Sequence, residues 1–246
     1  MPSRKPAPEI HAGIYRQFVT GEDMKRFWVR EEQSDLLISA HGVFEEEARA
    51  ALLEARAQII GYAEGRKDFY SSLQPLEMDE NAPPVVRDML LAGIAASVGP
   101  MAAVAGAVAQ YVGEALLKYS DEVIVENGGD VFVCTKTPRT MCVIAESADT
   151  GSLLLRPVVG ERVKYGVCTS SGRLGPSLSL GNADSVTVLA DRTAVADALA
   201  TRLCNLVRRT EDVAKVLEHS RSTPAEGVVI IMKDCFGARG ALEIVA

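Results

Sequence analysis

The run of residues 89–113 contains no Asp, Glu, Lys or Arg, and it leaves the rest of the chain few ways to fold. On length alone such a run could cross a bilayer as a helix. Its content is mostly Ala and Gly, which gain little from lipid, and Gly99-Pro100 divides it. Two buried helices in a soluble core are expected instead. The first covers residues 85–96, and the second starts near Pro100, a residue suited to a first helical turn. The second carries Met101, Val104, Ala105, Val108, Tyr111, Val112, Ala115 and Leu116 as its large-residue stripe. Its other side offers Ala102, Ala103, Gly106, Ala109 and Gly113, which permits close packing on a neighbour. A long helix without a charged face belongs at the centre of a fold.

Just downstream, Val123-Ile124-Val125 and Val131-Phe132-Val133 flank Glu126-Asn127-Gly128-Gly129-Asp130. An Asn-Gly pair between strand formers signals a tight turn with positive φ. A hairpin turn is sufficient to explain the pattern. The two glycines would also let backbone approach a ligand closely, with Glu126 and Asp130 standing at the strand ends.

The remaining elements follow from spacing. Residues 26–29 and 35–39 read as strands joined by a polar turn. Phe44, Ala48, Ala51, Leu52, Ala55, Ile59 and Tyr62 share one face of a helix whose first turn holds Glu45, Glu46 and Glu47. Residues 67–84 read as a long polar connection whose aromatics cover the core edge. Short strands are expected at 141–145, 152–156 and 166–168, and a stronger one at 185–190. Helices follow at 194–207 and 211–220. Strands at 228–232 and 242–245 close the chain as a hairpin, with 233–240 between them. This order implies an α+β fold, a mostly antiparallel or mixed sheet flanked by helices, rather than alternating βαβ units. Residues 1–13 are expected to form a loose tail, Pro-rich and without the apolar core of a signal peptide, and 14–246 one domain.

Charge narrows the partners. Lys and Arg total 26 against 33 Asp and Glu, a net charge of -7, which argues against nucleic acid and against an anionic membrane surface. The five cysteines are odd in number and widely spaced, which fits a reduced, cytoplasmic setting. The three histidines form no metal-binding signature.

Two further stretches could carry chemistry. Residues 168–181, Cys-Thr-Ser-Ser-Gly-Arg-Leu-Gly-Pro-Ser-Leu-Ser-Leu-Gly, make a hydroxyl- and glycine-rich loop suited to a phosphate or carboxylate. The same composition is also that of an ordinary surface loop. In Ala196-Asp197-Ala198-Leu199-Ala200-Thr201, Asp197 and Thr201 lie four apart on a helix, and Asn205 continues the line. A hard cation such as magnesium takes oxygen ligands, often one carboxylate completed by substrate phosphates. A partly exposed helix with Thr201 bonded back to its own turn is the competing account.

Taken together, Asn-Gly-Gly-Asp, Thr-Ser-Ser-Gly and Ala-Asp-Ala-Leu-Ala-Thr resemble the ApbE-like superfamily of FAD:protein FMN transferases. Residues 98–107 and 122–130 are similar to a short, largely uncharacterised branch of it, and the resemblance runs from about residue 14 to the C-terminus. It implies an ApbE-like (T-fold-like) α+β domain holding an anionic or nucleotide ligand of the FAD or FMN kind. Asn127, Gly128, Gly129 and Asp130 would lie against that nucleotide, with Thr169, Ser170 or Ser171, and Gly172. Asp197 and Thr201 would hold Mg2+ at the diphosphate, where a protein hydroxyl attacks phosphorus. The chain is shorter than the transferases and lacks their His-containing, Pro-rich segment after Thr-Ser-Gly. That leaves nucleotide or anion binding as the firmer inheritance.

Two rival readings stand beside flavin transfer. The branch's association with anaerobes implies an accessory role in bringing sulfide into homocysteine synthesis, with Cys168 as a thiol of depressed pKa. A non-enzymatic binding or assembly module would use the Ala/Gly helices as a homo-oligomer interface.

Overall fold

The computed structural model describes residues 24–136, 141–144, 152–158, 164–172 and 181–244. The expected tail at 1–13, and residues 173–180 of the hydroxyl-rich loop, lie outside that range. The chain opens with a hairpin of β1 (Lys25–Glu31) and β2 (Ser34–Ala40). Alternation puts Phe27, Val29, Leu36 and Ile38 inside, while Trp28 and Arg30 stay exposed. The helices α1 (Glu45–Ala63), α2 (Lys67–Ser71) and α3 (Pro84–Ala96) follow. A 3-10 turn, Pro100–Ala103, then leads into α4 (Val104–Leu116). Next come β3 (Val123–Asn127), β4 (Asp130–Cys134), β5 (Met141–Ile144), β6 (Ser152–Pro157), β7 (Lys164–Ser170) and β8 (Ser185–Ala190). The chain ends with α5 (Thr193–Leu206), α6 (Asp212–His219), β9 (Gly227–Met232), β10 (Cys235–Gly240) and β11 (Leu242–Ile244).

Eight strands form one sheet in the order β1-β2-β3-β4-β7-β8-β9-β10, and a smaller sheet runs β11-β6-β5. Every strand pair among the described residues is antiparallel. Helices cover one face of the large sheet: Val125 and Phe132 lie on the strands packed by α4, Cys168 and Val188 on those packed by α5, and Ile38 and Ile230 extend the same buried cluster to either side. The other face buries Ile124, Val133, Tyr165, Val167 and Ile231 beside Leu155 and Leu242 of the small sheet. The expected α+β architecture of helices on a mostly antiparallel sheet is therefore the one found.

The uncharged run does form two core helices. Among the described residues no single helix is long and apolar enough to cross a membrane, and the two halves of this run bend by 105°. Gly93, Val98, Gly99 and Pro100 are buried at the bend, where Ser97 takes a left-handed φ of 57°. Of the run's small-residue side, Ala103, Gly106, Ala109 and Gly113 are buried, with Gly106 close against Thr193 and Asp197 of α5 and Gly113 against Phe132 of the sheet, which is the close packing expected of it.

Three corrections concern connections. The 67–84 segment is not wholly irregular, because α2 folds back and buries Phe69, whose ring stacks edge-on against Tyr62 at 5.1 Å. Residues 235–240 are strand rather than loop: after the turn at Lys233-Asp234, β10 pairs along all of β9. Leu242–Ile244 in turn joins β6 in the small sheet instead of forming the expected hairpin with β9.

Candidate functional site

The site begins at the β3–β4 turn. Gly128 and Gly129 have φ of 65° and 106°, so the loop is two residues long with both central angles positive. That twist matches the flanking strands and suits residues without a Cβ. Asn127 and Asp130 face each other across the last rung. Alternation sends both to the helix side of the sheet and sends Glu126 to the opposite side. The buried Glu126 accepts the Gly129 N–H on Oε1 at 2.9 Å, which braces the turn.

Opposite Asp130 on β7 lies Cys168, also on the helix side. α5 closes the third wall with Asp197. Burial first, and then the charge of Asp197, hold the Asp130 carboxyl well above the usual carboxylate range. Burial pushes Asp197 itself up to about 7, against the backbone amides of Gly106 and Ala105, which favour its anion. Two carboxyl groups thus share a dry space in which both cannot easily be ionised. Asp130 Oδ1 is buried there without a hydrogen-bond partner among the described residues. An orphaned buried oxygen costs free energy, on the order of 1–3 kcal/mol, and calls for an unseen partner.

Asp197 has a second role that no local pattern announces. Its Oδ2 accepts the Gly106 N–H at 2.8 Å from 91 residues away in sequence. Gly106 is the third residue of α4, and Ala103 before that helix offers no side-chain cap. Asp197 therefore caps α4 from a neighbouring helix, placing a carboxylate at the positive end of the dipole. The approach needs a glycine: a Cβ at position 106 would sit 2.7 Å from Asp197 Cβ and 2.6 Å from the Thr193 carbonyl oxygen. On the other side of the same turn, Asn127 Nδ2 donates to the Ala105 carbonyl at 3.0 Å.

The remaining candidates divide. Thr169 points to the far face of the sheet, with its hydroxyl 2.9 Å from that of Thr187, and only its N–H reaches the turn, donating to the Gly129 carbonyl at 3.2 Å. Ser170 points to the helix side, buried, and its hydroxyl has no partner among the described residues. Ser171 is half-buried, and Gly172 donates its N–H to the Ala183 carbonyl at 2.9 Å. Ser170, not Ser171, thus shares the helix side of the sheet with Asp130. α5 starts beside β7, where the Cys168 thiol donates to the Thr193 carbonyl at 3.3 Å. Four helical residues rise about 6 Å and two strand residues about 6.6 Å, so the elements advance in step. Half-buried Thr201 lies one helical turn beyond Asp197 on α5.

The thiol expectation fails. Cys168 is fully buried, and burial followed by the charges of Asp130 and Asp197 pushes its pKa well above the ordinary thiol range. A reactive cysteine needs the opposite shift.

A magnesium-type ion fits this donor set in one manner only. Among the described residues no three His, Cys, Asp or Glu side chains gather into a metal cage. What is present is a carboxyl pair with one orphaned oxygen, flanked by hydroxyls. A hard cation accepts such a partial oxygen shell when a ligand's phosphate and water complete it.

The fold is the one seen in solved ApbE proteins. The solved flavin transferase ApbE from Vibrio cholerae superposes with a TM-score of 0.61 at 13% identity, covering 89% of this chain and 97% of that one. The ApbE protein from Thermotoga maritima gives 0.57 at 14% identity, covering 90% and 96%. At such identities the likeness is one of fold. Sequence then places the chain: the family model described as AbpE bacteria matches residues 16–225, so the chain belongs to that ApbE-like family. Its relatives include the UPF0280 protein MJ1526 of Methanocaldococcus jannaschii, 36% identical over 89% of this chain and 91% of that one. Another is the UPF0280 protein of Methanobrevibacter smithii, 35% identical over 78% and 83%.

Proposed function

We propose that this protein binds a flavin nucleotide of the FAD kind together with a divalent cation, between the Asn127–Asp130 turn and α5. The observation that carries the reading is the unpartnered Asp130 Oδ1, buried beside Asp197. A cation between the two carboxyls would relieve their mutual repulsion and supply Oδ1 with its missing partner. Asp130 and Asp197 would hold that ion, with Thr201 and Ser170 as neutral oxygen donors to it or to the diphosphate. When bound, the ion would neutralise the diphosphate and make its phosphorus a better electrophile. The Gly128-Gly129 backbone, half open to solvent, leaves room for a ligand to lie along the turn.

The reaction this arrangement supports is FMN transfer. An acceptor hydroxyl releases its proton to water and forms a bond to the flavin-side phosphorus, the diphosphate P–O bond breaks, and AMP leaves with the bridging oxygen. Support for this reaction comes from the fold shared with flavin transferases. Incubating the purified chain with FAD, Mg2+ and a Ser/Thr-containing acceptor protein tests it, with release of AMP and covalent flavin fluorescence as the products sought. AMP release in Mg2+ that stops in EDTA is the expected result. No AMP and no covalent flavin with any acceptor tried would reduce the proposal to binding alone.

A further inference from the structure

We infer that Asn127 is a positioning residue for Asp197, acting through one peptide unit of α4 rather than touching the ligand. The inference rests on the proposed cation-binding role of Asp197 and changes the part that sequence assigns to Asn127. Because Gly128 and Gly129 occupy the turn's centre, Asn127 stays in β3, and its buried side chain is directed at α4. Its Nδ2 donates to the Ala105 carbonyl at 3.0 Å. The N–H of the same peptide plane belongs to Gly106, and it is the group that Asp197 Oδ2 accepts at 2.8 Å. A trans peptide is planar, with its C=O and N–H pointing in opposite directions. Asn127 therefore grips one end of the unit and Asp197 the other.

Rotation of that peptide would move both bonds together. The carbonyl has a lone pair for Asn127 beside the one used within the helix. Donation to the carbonyl also polarises the N–H, which strengthens its bond to the carboxylate. The missing Cβ of Gly106 lets Asp197 come close enough to be held in this way. Without the Asn127 amide, the Asp197 carboxylate loses its fixed bearing toward the free oxygen of Asp130. Cation affinity then falls first, and ligand affinity falls only as a consequence.

The test uses the full chain as wild type, Asn127→Ala, Asn127→Asp and Asn127→Ser, the last keeping a short polar side chain should the others fold poorly. Hydrogen exchange at the Gly106 amide is read by NMR in metal-free protein, with Gly113 as internal reference. Mn2+ affinity is read by EPR with the metal alone, and FAD affinity at saturating Mn2+. Losing the bond should speed Gly106 exchange and weaken Mn2+ binding by about tenfold each, with FAD affinity at saturating Mn2+ nearly unchanged. Unaltered Gly106 exchange overturns the inference whatever the metal does. A fall in melting temperature with Mn2+ affinity intact overturns it too, as does a loss of FAD affinity at saturating Mn2+. If the wild type binds no Mn2+, the cation role of Asp197 is lost, and the exchange measurement still decides whether Asn127 holds the peptide.

Discussion

Asp197→Asn is expected to make the metal-free protein more stable above pH 7. The folded pKa of about 7 lies above the ordinary 3.8, so the native state holds this proton more tightly than the unfolded chain does. Stability from such a group is full below about pH 4 and is lost as pH rises through about 7. A rise from 3.8 to about 7 amounts to about 4 kcal/mol, of which roughly 2.5 kcal/mol disappears between pH 5 and pH 8. Asparagine keeps an oxygen for the Gly106 N–H while removing the charge, and it also removes one cause of the raised pKa of Asp130. Urea unfolding in EDTA at pH 5 and pH 8, with the two proteins compared at each pH, isolates the effect from all other titrating groups. The stability of the variant relative to the wild type should rise by roughly 2.5 kcal/mol from pH 5 to pH 8. Adding Mg2+ at pH 8 should restore the wild type and leave the variant where it was. Parallel pH profiles, or a variant less stable at pH 8 in EDTA, would refute the idea that this carboxyl pair is under electrostatic strain.

The other expectations concern neighbours of that pair. Gly106→Ala forces a Cβ into Asp197 and the Thr193 carbonyl, and should cost on the order of 2–3 kcal/mol by calorimetry while removing cation-dependent binding; an unchanged melting temperature would contradict the packing. Gly129→Ala places a Cβ at a φ of 106° and should lower stability by about 1–3 kcal/mol in urea titrations. Cys168 should resist iodoacetamide in the native protein, while half-buried Cys235 reacts before the buried Cys134, Cys168 and Cys204, as mass mapping of alkylated peptides would show; rapid native labelling of Cys168 would revive the sulfur-transfer reading.

What could be read from sequence was whatever local chemistry decides. The β3–β4 turn was legible because Asn-Gly-Gly between β-branched runs admits few other conformations. α1 was legible because Ala48, Leu52, Ala55 and Ile59 repeat on one face. β10 was not: Cys235-Phe-Gly-Ala-Arg-Gly has weak strand propensity, and pairing with the strongly β-forming β9 imposes its conformation. The second sheet was hidden for the same reason, since Leu242–Ile244 finds its partner in β6, far away along the chain. In the candidate site, the fold brings β3–β4, β7 and α5 together, but sequence did not give the orientation of their side chains. Thr169 and Ser170 are adjacent, yet alternation turns one to each face of the sheet, and only the register that pairs Cys168 with Asp130 decides which of them shares the helix side. The capping of α4 by Asp197 and the hold of Asn127 on Ala105 join residues far apart in sequence, beyond the reach of any spacing rule.

The most direct test of the account is a titration of FAD with this protein, followed by flavin fluorescence in Mg2+ and again in EDTA, for the wild type and for Asp130→Asn. Saturable quenching is expected in Mg2+ with the wild type, and its loss both in EDTA and in the variant. Quenching that ignores both the metal and Asp130, or no quenching at all, would contradict it.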